Sequence, residues 1–187
     1  MRWDGLFADL EAQASALAAQ ERAAEVQERV RAESGQVALR DRLRLSVGAA
    51  LRVRCTGGVA TLGRLRRVAP DWLLLAENPS GEALVPLRAV LWLSGASSVG
   101  GVPDGGSSVE SRLSLRHVYR GIARDRSPVR IALTDGSVLA GTIDRVGSDF
   151  FELAVHAAGE ARRRSGVRDV LLVPFAAIVV VRREADR

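Results

Sequence analysis

Arginine is the residue type in this sequence whose number and spacing suggest a chemistry. All 27 basic residues of the 187 are arginine, and a guanidinium group can bind a phosphate through two parallel hydrogen bonds. Three groups are spaced so that a phosphate backbone could contact several members at once. They are Arg162, Arg163, Arg164 and Arg168 in a predicted loop, Arg112, Arg116, Arg120 and Arg124 at every fourth position of a predicted helix, and Arg64, Arg66 and Arg67 on a predicted strand. These groups predict binding to nucleic-acid phosphates.

The same arginines also fit a less specific interpretation. A GC-rich genome favours arginine over lysine, so an arginine-only basic set can reflect composition, and a net charge of +5 says little about function. Glu160 and Asp125 lie beside two of the groups and would partly neutralise them. A solvated loop and a solvated helix face therefore remain the alternative to a phosphate-binding surface.

The sequence shows no pattern typical of catalysis or metal binding. His117 lies among the helix arginines and His156 at a loop edge; without serine or cysteine partners at motif spacing, both are predicted to be surface histidines. Cys55 is the one cysteine, which excludes an internal disulfide and a cysteine-built zinc site, and it falls at an inward strand position. We therefore expect a protein that is not an enzyme and that uses no metal or cofactor.

A stretch of 26 residues occurs twice in the chain. Residues 51–76 and 129–154 align without a gap and share nine identical residues, including the glycines at 63 and 141. Residues 85–90 then match 173–178, after a spacing that is ten residues longer in the second copy. The extra length falls in 156–168, which is rich in Arg, Gly and Ala and is typical of a loop. We infer an internal duplication.

The duplication predicts four segments. They are an N-terminal helical segment at 1–46, a first repeat at 47–94, a Gly/Ser linker at 95–108, and a helix with the second repeat at 109–187. Residues 3–33 are good helix formers, and glutamines at alternate heptad positions make a poor coiled-coil seam. This helix is expected either to pack on its own chain or to mediate dimerisation. Residues 36–46 fit a strand and a helix equally well.

Each repeat is predicted to contain five short antiparallel strands. The first hairpin turn falls at Gly57-Gly58, and its counterpart is Thr134-Asp135-Gly136-Ser137. A glycine inside the longest strand of each repeat indicates a bent sheet that curls into a small open barrel. The aromatic side chains expected inside are Trp72, Phe150 and Phe151.

A helix followed by five strands, with an apolar-x-apolar-x-Asp-Gly turn and a glycine five residues later, resembles the Sm-like fold of Sm, LSm and Hfq proteins. In the second repeat the match comprises Ile131, Leu133, Asp135, Gly136, Gly141, Ile143 and Val146, and the first repeat matches more weakly. The whole chain is also similar to uncharacterised actinobacterial proteins that often carry a Fis-family transcriptional regulator label. Sm-like repeats contain no helix-turn-helix that would bind DNA in that way.

The resemblance implies a mainly β fold with an N-terminal helix and two tandem five-stranded Sm-like small barrels, each preceded by a helix. It implies an RNA-binding scaffold. The base-pocket positions of Sm proteins, however, hold Gly147 and Phe151 here, or Ala69 and Leu73 in the first repeat, so the usual uridine pocket is not expected.

The function expected from these observations is low-specificity nucleic-acid binding by a cytoplasmic, non-enzymatic module, to RNA more than DNA, with a downstream role in regulation. No apolar run reaches the length of a membrane span, and the acidic N-terminus does not resemble a signal peptide, so no membrane partner is expected. The alternative is a protein-interaction or homo-oligomeric assembly module without nucleic-acid binding, which would use the long helix and the sheet edges.

Overall fold

The computed structural model describes residues 3–34, 37–77, 81–97, 113–156 and 169–183. The chain divides into two compact units, Met1–Ala38 and Leu39–Arg187. The first contains helix α1, Trp3–Ser34, which confirms the long helix predicted over residues 3–33. Its apolar residues are distributed around the helix axis and do not concentrate on one face.

The described residues of the second unit form two short α-helices and ten strands. Helix α2 (Leu39–Arg44) precedes the first repeat and α3 (Leu115–Asp125) precedes the second. The strands of the first repeat are β1 (Ala50–Cys55), β2 (Ala60–Val68), β3 (Trp72–Glu77), β4 (Gly81–Pro86) and β5 (Val90–Ser94). Those of the second are β6 (Pro128–Leu133), β7 (Val138–Val146), β8 (Phe150–Val155), β9 (Asp169–Pro174) and β10 (Ile178–Arg183). The chain is therefore mainly β with a long N-terminal helix, and the ambiguous stretch before β1 contains a helix.

All ten strands belong to one antiparallel sheet, in the order β5-β1-β2-β3-β4-β10-β6-β7-β8-β9. Within each repeat the fifth strand pairs with the first, β5 with β1 and β10 with β6. The sheet is open and does not close into two small barrels. Instead, β4 of the first repeat pairs with β10 of the second and joins the repeats edge to edge.

The two repeats share irregular backbone features at equivalent positions. Both second strands contain a β-bulge, at equivalent positions of β2 and β7, and both repeats have a 3-10 turn before the fifth strand, Leu87–Ala89 and Phe175–Ala177. These turns begin with equivalent hydrogen bonds. The N–H of Leu87 donates to the carbonyl of Asp71 at 2.9 Å, and the N–H of Phe175 donates to that of Asp149 at 2.7 Å.

The matched glycines inside the long strands allow close contact with the next strand. A Cβ on Gly63 would lie 2.6 Å from the carbonyl oxygen of Ala76, and a Cβ on Gly141 would lie 2.3 Å from that of Ala154. Both distances are far below van der Waals contact, so no other residue fits without moving a backbone. The sequence match between these positions therefore reflects one packing constraint that occurs twice.

The hairpin turns of the two repeats lie against each other. Gly57 and Gly58 have φ values of 64° and 73°, and Gly136 has a φ of 85°; glycine adopts these values without strain. A Cβ on Gly57 would lie 2.6 Å from the carbonyl oxygen of Leu133. The turn of the first repeat is therefore packed on the backbone of the second.

Two hydrophobic cores lie on opposite faces of the sheet. On β4, Ala83 and Val85 belong to the first core, whereas Leu84 between them belongs to the second. On β10, Val180 and Val181 divide in the same way. Because neighbouring residues of a strand point to opposite faces, the strands at the junction contribute to both cores. Cys55, Trp72 and Phe151 are buried as predicted, while Phe150 is half-buried.

Polar side chains also connect the repeats. The Asp71 carboxylate accepts the N–H of Leu115, the first residue of α3, at 3.1 and 3.3 Å. On β3, the Glu77 carboxylate accepts hydrogen bonds from Arg182 of β10 and from Thr61. Burial raises the pKa of the Glu77 carboxyl, but these hydrogen bonds and the Arg182 charge outweigh burial and hold the pKa below its ordinary value.

Candidate nucleic-acid interface

The structure describes six of the arginines that the sequence singles out. Arg64, Arg66 and Arg67 lie on β2, and Arg116, Arg120 and Arg124 lie on α3. Arg112 and the loop group Arg162, Arg163, Arg164 and Arg168 lie outside the described residues.

A β-bulge exposes all three β2 arginines. The register of β2 with β3 shifts between Leu65 and Arg67, and Arg66 is the additional residue. A regular strand would turn one of two neighbouring residues toward the core, but here Arg66 and Arg67 are both exposed, as is Arg64. The equivalent bulge in β7 holds Asp144 in place of Arg66, so the run of three arginines belongs to the first repeat.

The three arginines line one open groove of about 540 Å³. The turn before β1 forms another wall with Val47 and Gly48. Two backbone hydrogen bonds hold this turn against β2, from the N–H of Gly48 to the carbonyl of Leu65 at 2.7 Å and from the N–H of Leu65 to the carbonyl of Ala49 at 2.8 Å. The groove is therefore bounded by main chain that the strand itself holds in place.

The lining of this groove is positively charged. Glu82 of β4 is the one acidic residue among its lining residues, against three arginines. Arg64 donates a hydrogen bond to the carbonyl of Gly48, which fixes its guanidinium at the groove. Guanidinium groups stay charged at every physiological pH, so the groove offers a phosphate persistent positive charge and several N–H donors.

The arginines of α3 form a smaller cationic surface. Arg120 and Arg124 are exposed, whereas Arg116 is half-buried and its Nε is enclosed without a hydrogen-bond partner. On the other side of the helix, Leu115 and Tyr119 are buried in the second core. α3 thus has a structural role that requires no ligand, and its exposed charge is limited to the side away from the core.

The two histidines differ from each other in their surroundings. His117 is exposed, as predicted, and its Nδ1 lies 3.0 Å from the hydroxyl of Ser114. The prediction for His156 is wrong, because this side chain is buried and its Nε2 lies 2.9 Å from the hydroxyl of Thr142. His156 directly follows the last residue of β8, but its N–H still donates a hydrogen bond to the carbonyl of Ala140 on β7 at 3.3 Å. The pairing of β8 with β7 thus continues by one residue, and the imidazole ring is buried.

Sequence reasoning also missed an exposed aromatic residue. Trp92 on β5 is half exposed, and its cross-strand partner is Arg54 of β1. The alternation of β5 gives no indication of this exposure, because the strand is apolar at nearly every position. It becomes apparent only from the position of β5 at one end of the sheet.

Within the described ranges, no group of three or more His, Cys, Asp or Glu is placed to hold a metal ion. None of the helices in the same ranges combines the length and the apolar composition that crossing a membrane requires. Comparison of the chain with protein-family models, curated proteins and solved structures gives no significant match. The β2 groove and the sheet edges are therefore the features from which a function can be inferred.

Proposed function

We propose that this protein is a non-enzymatic module that binds nucleic acid with low specificity through arginine–phosphate contacts. One observation carries the proposal: Arg64, Arg66 and Arg67 line a single open groove whose charge is predominantly positive. Contacts to phosphates give affinity and position but carry no sequence information. The described residues that line the groove include no aromatic side chain, so base stacking in the groove is not part of the proposal.

The proposed scaffold is a tandem Sm-like arrangement. In support, a short helix precedes five strands in each repeat, and the fifth strand pairs with the first. The proposal favours RNA over DNA on the basis of this resemblance, because guanidinium contacts to phosphates do not themselves distinguish the two. The remaining predicted arginines belong to the proposal as secondary contacts: Arg112, Arg116, Arg120, Arg124, Arg162, Arg163, Arg164 and Arg168.

The proposal is tested by the salt dependence of binding to a labelled single strand. Fluorescence anisotropy of an oligouridylate of about 15 nucleotides, within the usual site size of single-strand binders, gives the affinity at each salt concentration. The variant Arg64→Gln/Arg66→Gln/Arg67→Gln should bind more weakly. The slope of log affinity against log salt should decrease by about 2, since each lost phosphate contact on a single strand removes about 0.7.

A matched variant distinguishes the contribution of the groove arginines to binding from the contribution of the protein's net charge. Arg22→Gln/Arg29→Gln/Arg40→Gln removes the same charge at exposed positions outside the groove, and its salt slope should equal that of the wild type. Equal slopes for the two triple variants would show that the groove is not the contact surface. Absence of binding by the wild type at low salt would overturn the proposal.

A second candidate function is protein assembly without nucleic acid. A separate observation favours it, because both outermost strands of the sheet, β5 and β9, carry exposed large apolar side chains.

A further inference from the structure

An exposed tryptophan lies on the first repeat. Trp92 of β5 is 50% exposed, whereas Trp72 of β3 is 5% exposed. A tryptophan side chain carries a large apolar area and is on average well buried. The ring-to-ring contacts of the described residues lie in the second core, among Tyr119, Phe151 and Phe175, so none of them involves Trp92. The indole of Trp92 is therefore not stacked on any other described aromatic ring.

Two arginines of β1 share the face of the sheet on which Trp92 lies. Arg54 pairs directly with Trp92, so the two side chains project from the same side of the sheet. Val53, between Arg52 and Arg54, is buried in the first core. Because alternate residues of a strand point to opposite faces, both arginines point away from that core, and Arg52 is exposed while Arg54 is half-buried.

The three strands that form this face carry basic residues and no acidic ones. β1 contains two arginines and β2 contains three, and there is no Asp or Glu in β1, β2 or β5. Among the residues that the structure describes, no ion pair involves Arg52 or Arg54. A face of this composition attracts phosphate groups.

The strand register connects Trp92 to the β2 groove. Ala50 of β1 pairs with Arg64 of β2, so Arg54, Arg52 and Arg64 follow one another along the same face. A rise of about 3.4 Å per residue and a strand spacing of about 4.8 Å place the Cα atoms of Arg54 and Arg64 about 14 Å apart. Arg64 also lines the groove. A nucleic-acid strand that leaves the groove therefore meets Arg52 and Arg54 before it reaches Trp92.

The second repeat uses the equivalent positions for packing. Ala132 is the counterpart of Arg54 and Val180 is the counterpart of Trp92, and both are buried in the first core. In the first repeat the same two positions hold a guanidinium and an indole. Because a charged group is costly to bury without a partner of opposite charge, this face is better suited to an anionic ligand than to apolar packing.

We propose that Trp92 is a base-stacking subsite, and that Arg54 and Arg52 bind the phosphates of the strand between Trp92 and the β2 groove. The inference rests on the proposed function, because it requires that the groove binds nucleic acid. It adds a contact of a different kind, since a base stacks on an indole through its π face and every base has one. The base-pocket positions of Sm proteins correspond to Ala69 and Leu73 of the first repeat, so the subsite at Trp92 is distinct from the uridine pocket of that family.

Replacement of the indole ring tests the stacking contact. Trp92→Leu keeps an apolar side chain but removes the π face, and it should weaken binding to the labelled oligouridylate about 5- to 150-fold. Trp92→Phe keeps an aromatic ring and should restore most of the lost affinity. Neither variant should change the slope of log affinity against log salt, because stacking releases no counterions. Leu172→Ala is the control, since Leu172 of β9 is 67% exposed and lies outside this face; it should bind like the wild type. Circular dichroism spectra of all variants should match that of the wild type.

An abasic ribose-phosphate strand of the same length distinguishes this inference from the proposed function. It offers phosphates without bases, so the wild type and Trp92→Leu should bind it equally well. Arg52→Gln/Arg54→Gln should lower the salt slope by about 1.4 for both strands, whereas Arg22→Gln/Arg29→Gln, at exposed positions of α1, should leave the slope unchanged. Equal binding of oligouridylate by the wild type and Trp92→Leu, or an equal loss on both strands, would overturn the stacking subsite. The effect of the β2 groove variant on the salt slope would still decide the proposed function in either case.

Discussion

The guanidinium of Arg182 donates two hydrogen bonds to the carboxylate of Glu77, at 2.9 and 3.1 Å, across the junction between the repeats. The counterparts of these residues at the free ends of the sheet are Ser94 and Val155. The ion pair therefore belongs to the internal junction alone. Covalent linkage already keeps that junction together, and the pair adds a specific register to its apolar contacts.

Replacing Glu77 by glutamine should destabilise the protein at neutral pH by about 1–3 kcal/mol, because a partly buried guanidinium loses a charged acceptor. The pKa of Glu77 is lowered from its ordinary value of 4.5, so its stabilising contribution is complete above that pH and is lost as the pH falls through the lowered folded-state pKa. Urea unfolding of both proteins between neutral pH and pH 3 measures this. The difference between them should narrow below about pH 4.5; a constant difference would contradict the assignment.

Alanine at Gly63 or Gly141 should destabilise the protein by at least about 1–3 kcal/mol, because the added Cβ would collide with a backbone carbonyl of the next strand. Gly121→Ala in α3 is the control, since open space surrounds that position. It should instead stabilise by up to about 1 kcal/mol through helix propensity. Chemical unfolding midpoints measure all three, and equal effects would show that strand contact does not explain the matched glycines.

Alanine at Asp71 should destabilise by about 1 kcal/mol, because its carboxylate caps the first turn of α3. Asp149→Ala at the equivalent position should change stability by less than about 0.5 kcal/mol, since the Asp149 side chain bonds only to the neighbouring Ser148 hydroxyl among its described contacts. Urea unfolding of the two variants and of the wild type measures both changes in stability. A larger loss at Asp149 than at Asp71 would refute the capping role.

The Cys55 thiol should react slowly in the native protein. Burial raises its pKa, and this exceeds the lowering by the nearby charges of Arg182 and Arg54, so little thiolate is present. A colorimetric disulfide reagent should modify it about 100-fold or more slowly in buffer than in denaturant, because reaction requires the first core to open. Similar rates in the two conditions would place Cys55 outside that core.

Local signals in the sequence suffice for much of the fold. The turn at Gly57-Gly58, the turn at residues 134–137 and the long helix each depend on neighbouring residues, and each is found where it was predicted. The apolar run at 176–182 favours a central or intermodule strand, and β10 is one. Its pairing with β4 could not be foreseen, because the two strands are far apart in sequence and every strand edge offers the same backbone groups. The expectation of separate barrels arose from treating each repeat alone.

The candidate site was predictable to the same extent. Arg64, Arg66 and Arg67 line one groove because they are close neighbours on one strand, which the sequence shows directly. Their shared exposure depends on the β2 bulge, for which the sequence carries no clear signal. The burial of His156 and the exposure of Trp92 depend on which element lies alongside each residue, and that information is not local.

The contact between Gly57 and the carbonyl of Leu133 limits how the two copies can change over evolutionary time. After a duplication, each copy is usually free to accumulate substitutions that its own packing tolerates. Here a larger residue in the turn of one copy would have to displace the main chain of the other. Substitutions in either copy are therefore constrained by the other copy. Gly57 is required twice, by its own φ of 64° and by the main chain of the second repeat that lies against it.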